Sequence, residues 1–162
     1  MAEPIRVLQF FVHGKCQPAG SKRFYGTGKA GVGRIADDNP KAAPWKAQVA
    51  ERAARARDEA GWDLLRGPVR LTVVFYRARL AGHFTSKGAL RAGAPAYPAT
   101  KPDRGKLLRA IEDALEGVLY ANDSQVVSGE VCKRWGSCDY AHIILAPLDE
   151  PSEPAAELKD SA

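Results

Sequence analysis

Apolar and polar positions set out the elements before any chemistry is considered. Residues Ile5 to Val12, IRVLQFFV, alternate loosely and carry β-branched and aromatic side chains, which predicts a first strand. From Pro44 to Ala60 the chain is rich in Ala, Glu and Arg, with Trp45, Val49, Ala53 and Ala56 on one helical face and Pro44 suited to a first turn. Gly61 and Gly67-Pro68 end that helix, and Val69 to Arg79, VRLTVVFYRAR, is the strongest strand pattern in the chain.

A long Gly-, Ala- and Pro-rich connection, Leu80 to Lys101, leads to a second helix from Gly105 or Lys106 to Glu116. Its stripe is Leu107, Leu108, Ile111, Ala114 and Leu115, and Gly117 is a natural stop. Gln125 to Arg134 and Tyr140 to Ala146 read as two more strands, joined at Gly136-Ser137 as a closing hairpin. The order β-α-β-α-β-β predicts an α+β fold, a small mixed β-sheet with two helices packed on it.

Composition narrows the class. With 162 residues, 45% hydrophobic and 27% charged, the chain suits one globular domain over residues 1–146, and no apolar run approaches a membrane span. The start, MAEPIRVLQFFVHGK, lacks the basic leader of a secretory signal. Cys16, Cys132 and Cys138 are odd in number and lack CxxC spacing, so reduced thiols in a cytoplasmic setting are expected. The net charge of +5 is uneven. Residues 147–162 carry five acids and one lysine and read as an acidic, disordered tail, which leaves a distinctly basic body suited to a polyanion.

Some apparent motifs carry nothing. GTGKAG, Gly26 to Gly31, matches G-x-G-x-x-G by letter but lacks the preceding apolar strand and following helix, so no nucleotide cofactor is expected. The same segment reads instead as a basic loop or hairpin, with Lys15, Lys22, Arg23, Lys29 and Arg34 interleaved with Phe24 and Tyr25, able to follow a phosphate backbone. His13, His83 and His142 stand at no metal-ligand spacing, and no nucleophile elbow is present.

The second helix is different. Asp103 stands just before it and Asp123 just after it. From Arg77 to Arg109 there are eight cations, Arg77, Arg79, Lys87, Arg91, Lys101, Arg104, Lys106 and Arg109, against the single acid Asp103. A carboxylate among so many cations suits a site where a divalent metal and a phosphate meet; an ordinary helix cap is the equal alternative on spacing alone.

KPDRGKLLR, then Asp113-Ala114-Leu115 and Gly117, then Asn122-Asp123-Ser124-Gln125-Val126-Val127, resembles the signature of the RusA family of Holliday-junction resolvases, approximately K-P-D-x-D-N-L-x-K, D-A-L, Gly and D-D-x-Q-V-V. The resemblance implies a homodimeric endonuclease, dependent on Mg²⁺ with Mn²⁺ as an alternative, that nicks opposed strands of four-way junction DNA in recombination and repair, in the cytoplasm of a bacterium or phage-infected host. By position it makes Asp103 and Asp123 metal ligands, with Asp113 a further candidate, and gives Arg109 and Lys106 the task of steadying phosphate charge. The basic loops, with Lys15, Lys22, Arg23, Lys29 and Arg34 on one and Arg77, Arg79, Lys87, Arg91, Lys101 and Arg104 on the other, would hold the DNA backbone.

Three positions depart from the signature. Gly105 stands where the second catalytic aspartate is expected, Lys106 replaces the asparagine after it, and Asn122 replaces the first acid of the D-D pair. Lost carboxylates weaken a hard-cation site. A junction-binding protein without nuclease activity is therefore the alternative reading.

Overall fold

The computed structural model describes residues 6–27 and 33–148. Its elements are β1 (Leu8–His13), β2 (Lys22–Thr27), β3 (Gly33–Asp37), α1 (Ala42–Glu59), β4 (Val69–Ala78), α2 (Arg104–Leu115), β5 (Val126–Ser128), β6 (Val131–Gly136) and β7 (Tyr140–Pro147), with 3₁₀ turns at Ala81–His83 and Asp123–Gln125. The fold is α+β, as the pattern predicts. Strands β2 and β3 form a separate two-stranded antiparallel hairpin, with Lys22 opposite Asp37 and Arg23 opposite Ala36.

The main sheet runs β1-β7-β4, antiparallel throughout, and then continues in parallel to β5 and β6, both paired with β4. Alternation along three strands builds its inner face. Leu8, Leu145 and Leu71 lie in one cross-strand row, Phe10, Ile143 and Val73 in the next, and Val12, Ala141 and Phe75 in the third, all buried. Trp45, Val49 and Ala53 of α1 and Leu107, Ile111 and Leu115 of α2 close over these rows. Burial of side chains of this size stabilises a fold by about 1.5–3 kcal/mol each before the entropy of ordering is counted. The opposite face carries a ladder of rings, with Tyr76 stacked on Tyr140 and Phe11 stacked on His142, each at 4.4 Å.

Two features differ from the sequence expectation. The last two strands are not a hairpin: β4 lies between β6 and β7 and pairs with both. The connection crosses the end of β4, where the Ala78 amide donates to the Asp139 carboxylate at 2.9 Å and the Gly14 amide donates to the Asp139 carbonyl. In addition, the span expected as one strand from Gln125 to Arg134 is broken into β5 and β6. Gly129, at φ +142°, approaches the Leu71 backbone so closely that a Cβ there would overlap the Leu71 carbonyl.

Candidate active site

The turn before α2 is held from below. Arg77 of β4 donates to the Thr100 hydroxyl at 3.1 Å and the Lys101 carbonyl at 2.9 Å. Lys133 of β6 donates to the carbonyls of Thr100 at 2.8 Å and Pro102 at 3.1 Å. The Lys101–Pro102 peptide is cis. Two neighbouring parallel strands thus fix the backbone that presents Asp103.

Asp103 occupies the N-cap position of α2, in extended conformation, yet its side chain makes no capping hydrogen bond. Its carboxylate is exposed and shares a groove with Lys15, Cys16, Gln17, Arg77, Lys101 and Lys106. A capping role for the side chain is thereby removed, and an acid facing four cations remains. Burial, with Asp139 adding to it, pushes the thiol of Cys16 in this groove up to about 12.

Asp123 lies beyond the other end of α2. Here the cap is Asn122, whose side chain accepts from the Ser124 amide while Gln125 returns a bond to the Asn122 amide. The Asp123 side chain is again left exposed, and its amide donates to Glu116 at 3.3 Å. The surroundings are acidic. Burial raises the Glu112 carboxyl, with Asp123 and Asp113 adding to it, and burial together with Glu112, Asp123, Glu116 and Asp113 raises the Tyr120 phenol. Asp113 is turned to the α1 flank, 3.4 Å from Lys46.

Helix α2 therefore separates Asp103 from Asp123. Twelve residues at 1.5 Å per residue place its ends roughly 18 Å apart, whereas Mg²⁺ takes oxygen ligands at about 2.0–2.1 Å. Among the described residues no three His, Cys, Asp or Glu side chains gather at metal-ligating distance. The acids of one chain do not fit one shared cation.

The remaining candidates are spread around this axis. Gly105, Lys106 and Arg109 are exposed on α2. Arg79 donates to the Pro95 carbonyl and so ties the connection after β4 to the end of that strand, Arg91 donates to the Phe84 carbonyl within that connection, and Arg104 of α2 donates to the Val131 carbonyl of β6. Arg79 also lies over the Trp135 ring at 5.5 Å. Lys15, Lys87 and Lys101 are exposed. Lys22, Arg23 and Arg34 lie on the hairpin backbone, while Lys29 and the acidic residues 149–162 fall outside the described residues.

Sequence reasoning missed Lys133, Glu112 and Glu116. The two glutamates carry a readable signal, because acids at a helix C-terminus oppose the macrodipole. Nothing in the sequence marks Lys133 as a clamp.

A family model described as Endodeoxyribonuclease RusA matches residues 15–145, a span that contains the Asp103 turn, α2 and Asp123. The chain is also similar to the uncharacterized protein YqaN of Bacillus subtilis (strain 168), at 31% identity over 135 residues, covering 78% of this chain and 86% of that one.

Proposed function

Because the chain belongs to the RusA endodeoxyribonuclease family, whose members resolve Holliday junctions, we propose that it binds four-way junction DNA and hydrolyses a phosphodiester at the N-terminal end of α2. The observation that carries this reading is the uncapped, exposed Asp103 in its groove with Lys15, Arg77, Lys101 and Lys106. The lysines in that arrangement draw in the DNA backbone and leave the carboxylate facing the phosphate they hold. Arg109, nearly two turns along the helix from Asp103, adds a positive charge where negative charge develops on the phosphate oxygens.

The activation of water by Mg²⁺ or Mn²⁺ that the resemblance implies is not assigned to these residues, because the acids of one chain do not fit one shared cation. The chain's own residues bind and orient: Arg77 and Lys133 keep the Asp103 backbone rigid, and the exposed lysines carry phosphate contacts that hold no sequence information. No described helix is long and apolar enough to cross a membrane.

A second reading, junction binding without cleavage, draws support from Gly105 and from the distance between Asp103 and Asp123. The experiment that separates the two compares the natural chain with Gly105→Asp on a labelled four-way junction in Mg²⁺ and in Mn²⁺. Paired nicks on opposed strands support the nuclease. Tight, junction-selective binding by both proteins with no nicks from either supports the binder.

A further inference from the structure

The face of the main sheet turned away from the helices carries rings in register. Arg134, Tyr76, Tyr140 and His13 form one cross-strand row over β6, β4, β7 and β1, and Cys132, Val74, His142 and Phe11 form the next. Tyr76 lies flat against Tyr140, with ring planes 13° apart, and Phe11 lies against His142 at 19°. Tyr140 links the two pairs, edge-on to Phe11 at 6.1 Å and tilted against His13 at 5.7 Å.

Cross-strand pairing stabilises a sheet and accounts for the contacts within each pair. It does not account for Phe11, which is 44% exposed. Among the described residues β1 pairs with β7 alone, so the ring face that Phe11 turns away from His142 has no strand beside it. Arg52 of α1 reaches this edge and donates to the Phe11 carbonyl at 3.3 Å. On the other side of the sheet the exposed Arg134 lies against Cys132 and near Tyr76 and Tyr97, the latter 68% exposed. The charge is of one sign. The outward positions of the four strands hold Arg70, Arg134, His13 and His142 and no acid, and Glu130 stands just before β6.

Open aromatic rings flanked by cations suit unpaired bases, because the rings stack on the bases and the cations meet the phosphates that join them. We propose that this face binds a single strand of DNA, with one base stacked on Phe11, further bases over the Tyr76–Tyr140 pair, and Arg52 and Arg134 holding phosphates at the two sides. Four strands at about 4.8 Å spacing make a platform roughly 14 Å across, enough for two or three bases. An apolar partner would bury both guanidiniums without an acceptor, whereas a nucleic-acid strand supplies a base for each ring and a phosphate for each cation. The strand is DNA because the chain's family acts on DNA. This site shares no lining residue with the Asp103 groove and adds to the junction reading a second surface, one that reads unpaired bases rather than the duplex backbone.

Fluorescence anisotropy tests the site with three labelled probes: an oligodeoxythymidine of about ten nucleotides, an abasic strand of the same length and charge, and a linear duplex. The natural chain is expected to bind the thymidine strand about tenfold more tightly than the abasic one, since only the former offers bases to stack. Phe11→Leu keeps an apolar side chain but cannot stack. It is expected to lose about tenfold on the thymidine strand and nothing on the duplex, whose bases are already stacked on one another. Phe11→Trp is expected to bind the thymidine strand at least as tightly as the natural chain, and Arg134→Ala to weaken the thymidine and abasic strands alike. Equal affinity of the natural chain for the thymidine and abasic strands would overturn the site. So would a Phe11→Leu protein that keeps a native circular dichroism spectrum and binds the thymidine strand like the natural chain. None of these readouts depends on junction cleavage.

Discussion

The guanidinium of Arg77 donates to the Lys101 carbonyl at 2.9 Å, and this bond ties β4 to the turn that presents Asp103. Arg77 also reaches the Thr100 hydroxyl, and Lys133 reaches the carbonyls on either side of Lys101. A cation that binds the chain's own carbonyls and one that binds DNA phosphates make different demands when removed. Arg77→Ala should cost about 1–3 kcal/mol in a urea melt, the value of hydrogen bonds made by a charged donor. Junction affinity should fall as well, but the slope of log K against log salt should stay close to that of the natural chain. A slope reduced by about one unit would instead make Arg77 a direct phosphate contact.

Lys101→Ala supplies the complementary case. Its side chain is exposed in the Asp103 groove, so the melt should move by no more than about 0.5 kcal/mol. Binding should weaken similarly on all junction sequences, with the salt slope reduced by about one. Unchanged affinity in low salt would remove Lys101 from the interface.

Gly129, between β5 and β6, lies against the Leu71 backbone. A Cβ there overlaps the Leu71 carbonyl, and φ at +142° is unfavourable for any other residue. Gly129→Ala should therefore destabilise the fold by more than about 2 kcal/mol, through strain and forced movement of β5 away from β4. A denaturation midpoint equal to that of the natural protein would show that the chain crosses here with more room than the structure gives it.

Cys16 gives a pH dependence. Its thiol titrates in the fold at about 12, above the ordinary 9.0, because burial and then Asp139 disfavour the thiolate. The folded state thus keeps a proton that the unfolded state releases, and this contribution to stability is whole below 9.0 and lost as pH rises toward 12. Cys16→Ser should flatten the alkaline decline in that window. In thiol labelling at pH 8, exposed Cys138 should react well before Cys16. Equal labelling rates would contradict the burial that raises Cys16.

Much of the fold was legible locally. Alternation in Val69 to Arg79 gave β4 almost to the residue, and the stripe ending at Gly117 gave α2. The insertion of β4 between β6 and β7 was not legible, because pairing partners are chosen by long-range packing and a Gly-Ser turn fits a hairpin equally well. At the site, the crowding of cations around Asp103 could be read from the sequence. The use of Arg77, Arg79, Arg91 and Arg104 on backbone carbonyls could not, since a count of charges does not distinguish a phosphate contact from a clamp. The distance between Asp103 and Asp123 was implicit in the helix length, and the family signature drew attention from it.

Asp103 carries the central claim, and Asp103→Asn tests it most directly because the change removes charge with almost no change in shape. The measurement is nicking of a labelled four-way junction in Mg²⁺, with binding to the junction and to linear duplex of the same sequence recorded alongside. The natural chain is expected to prefer the junction by at least tenfold and to nick opposed strands, and Asp103→Asn to retain that preference while nicking falls at least a hundredfold. Equal affinity for junction and duplex, or nicking that survives the substitution, would contradict the assignment of the site to this end of α2.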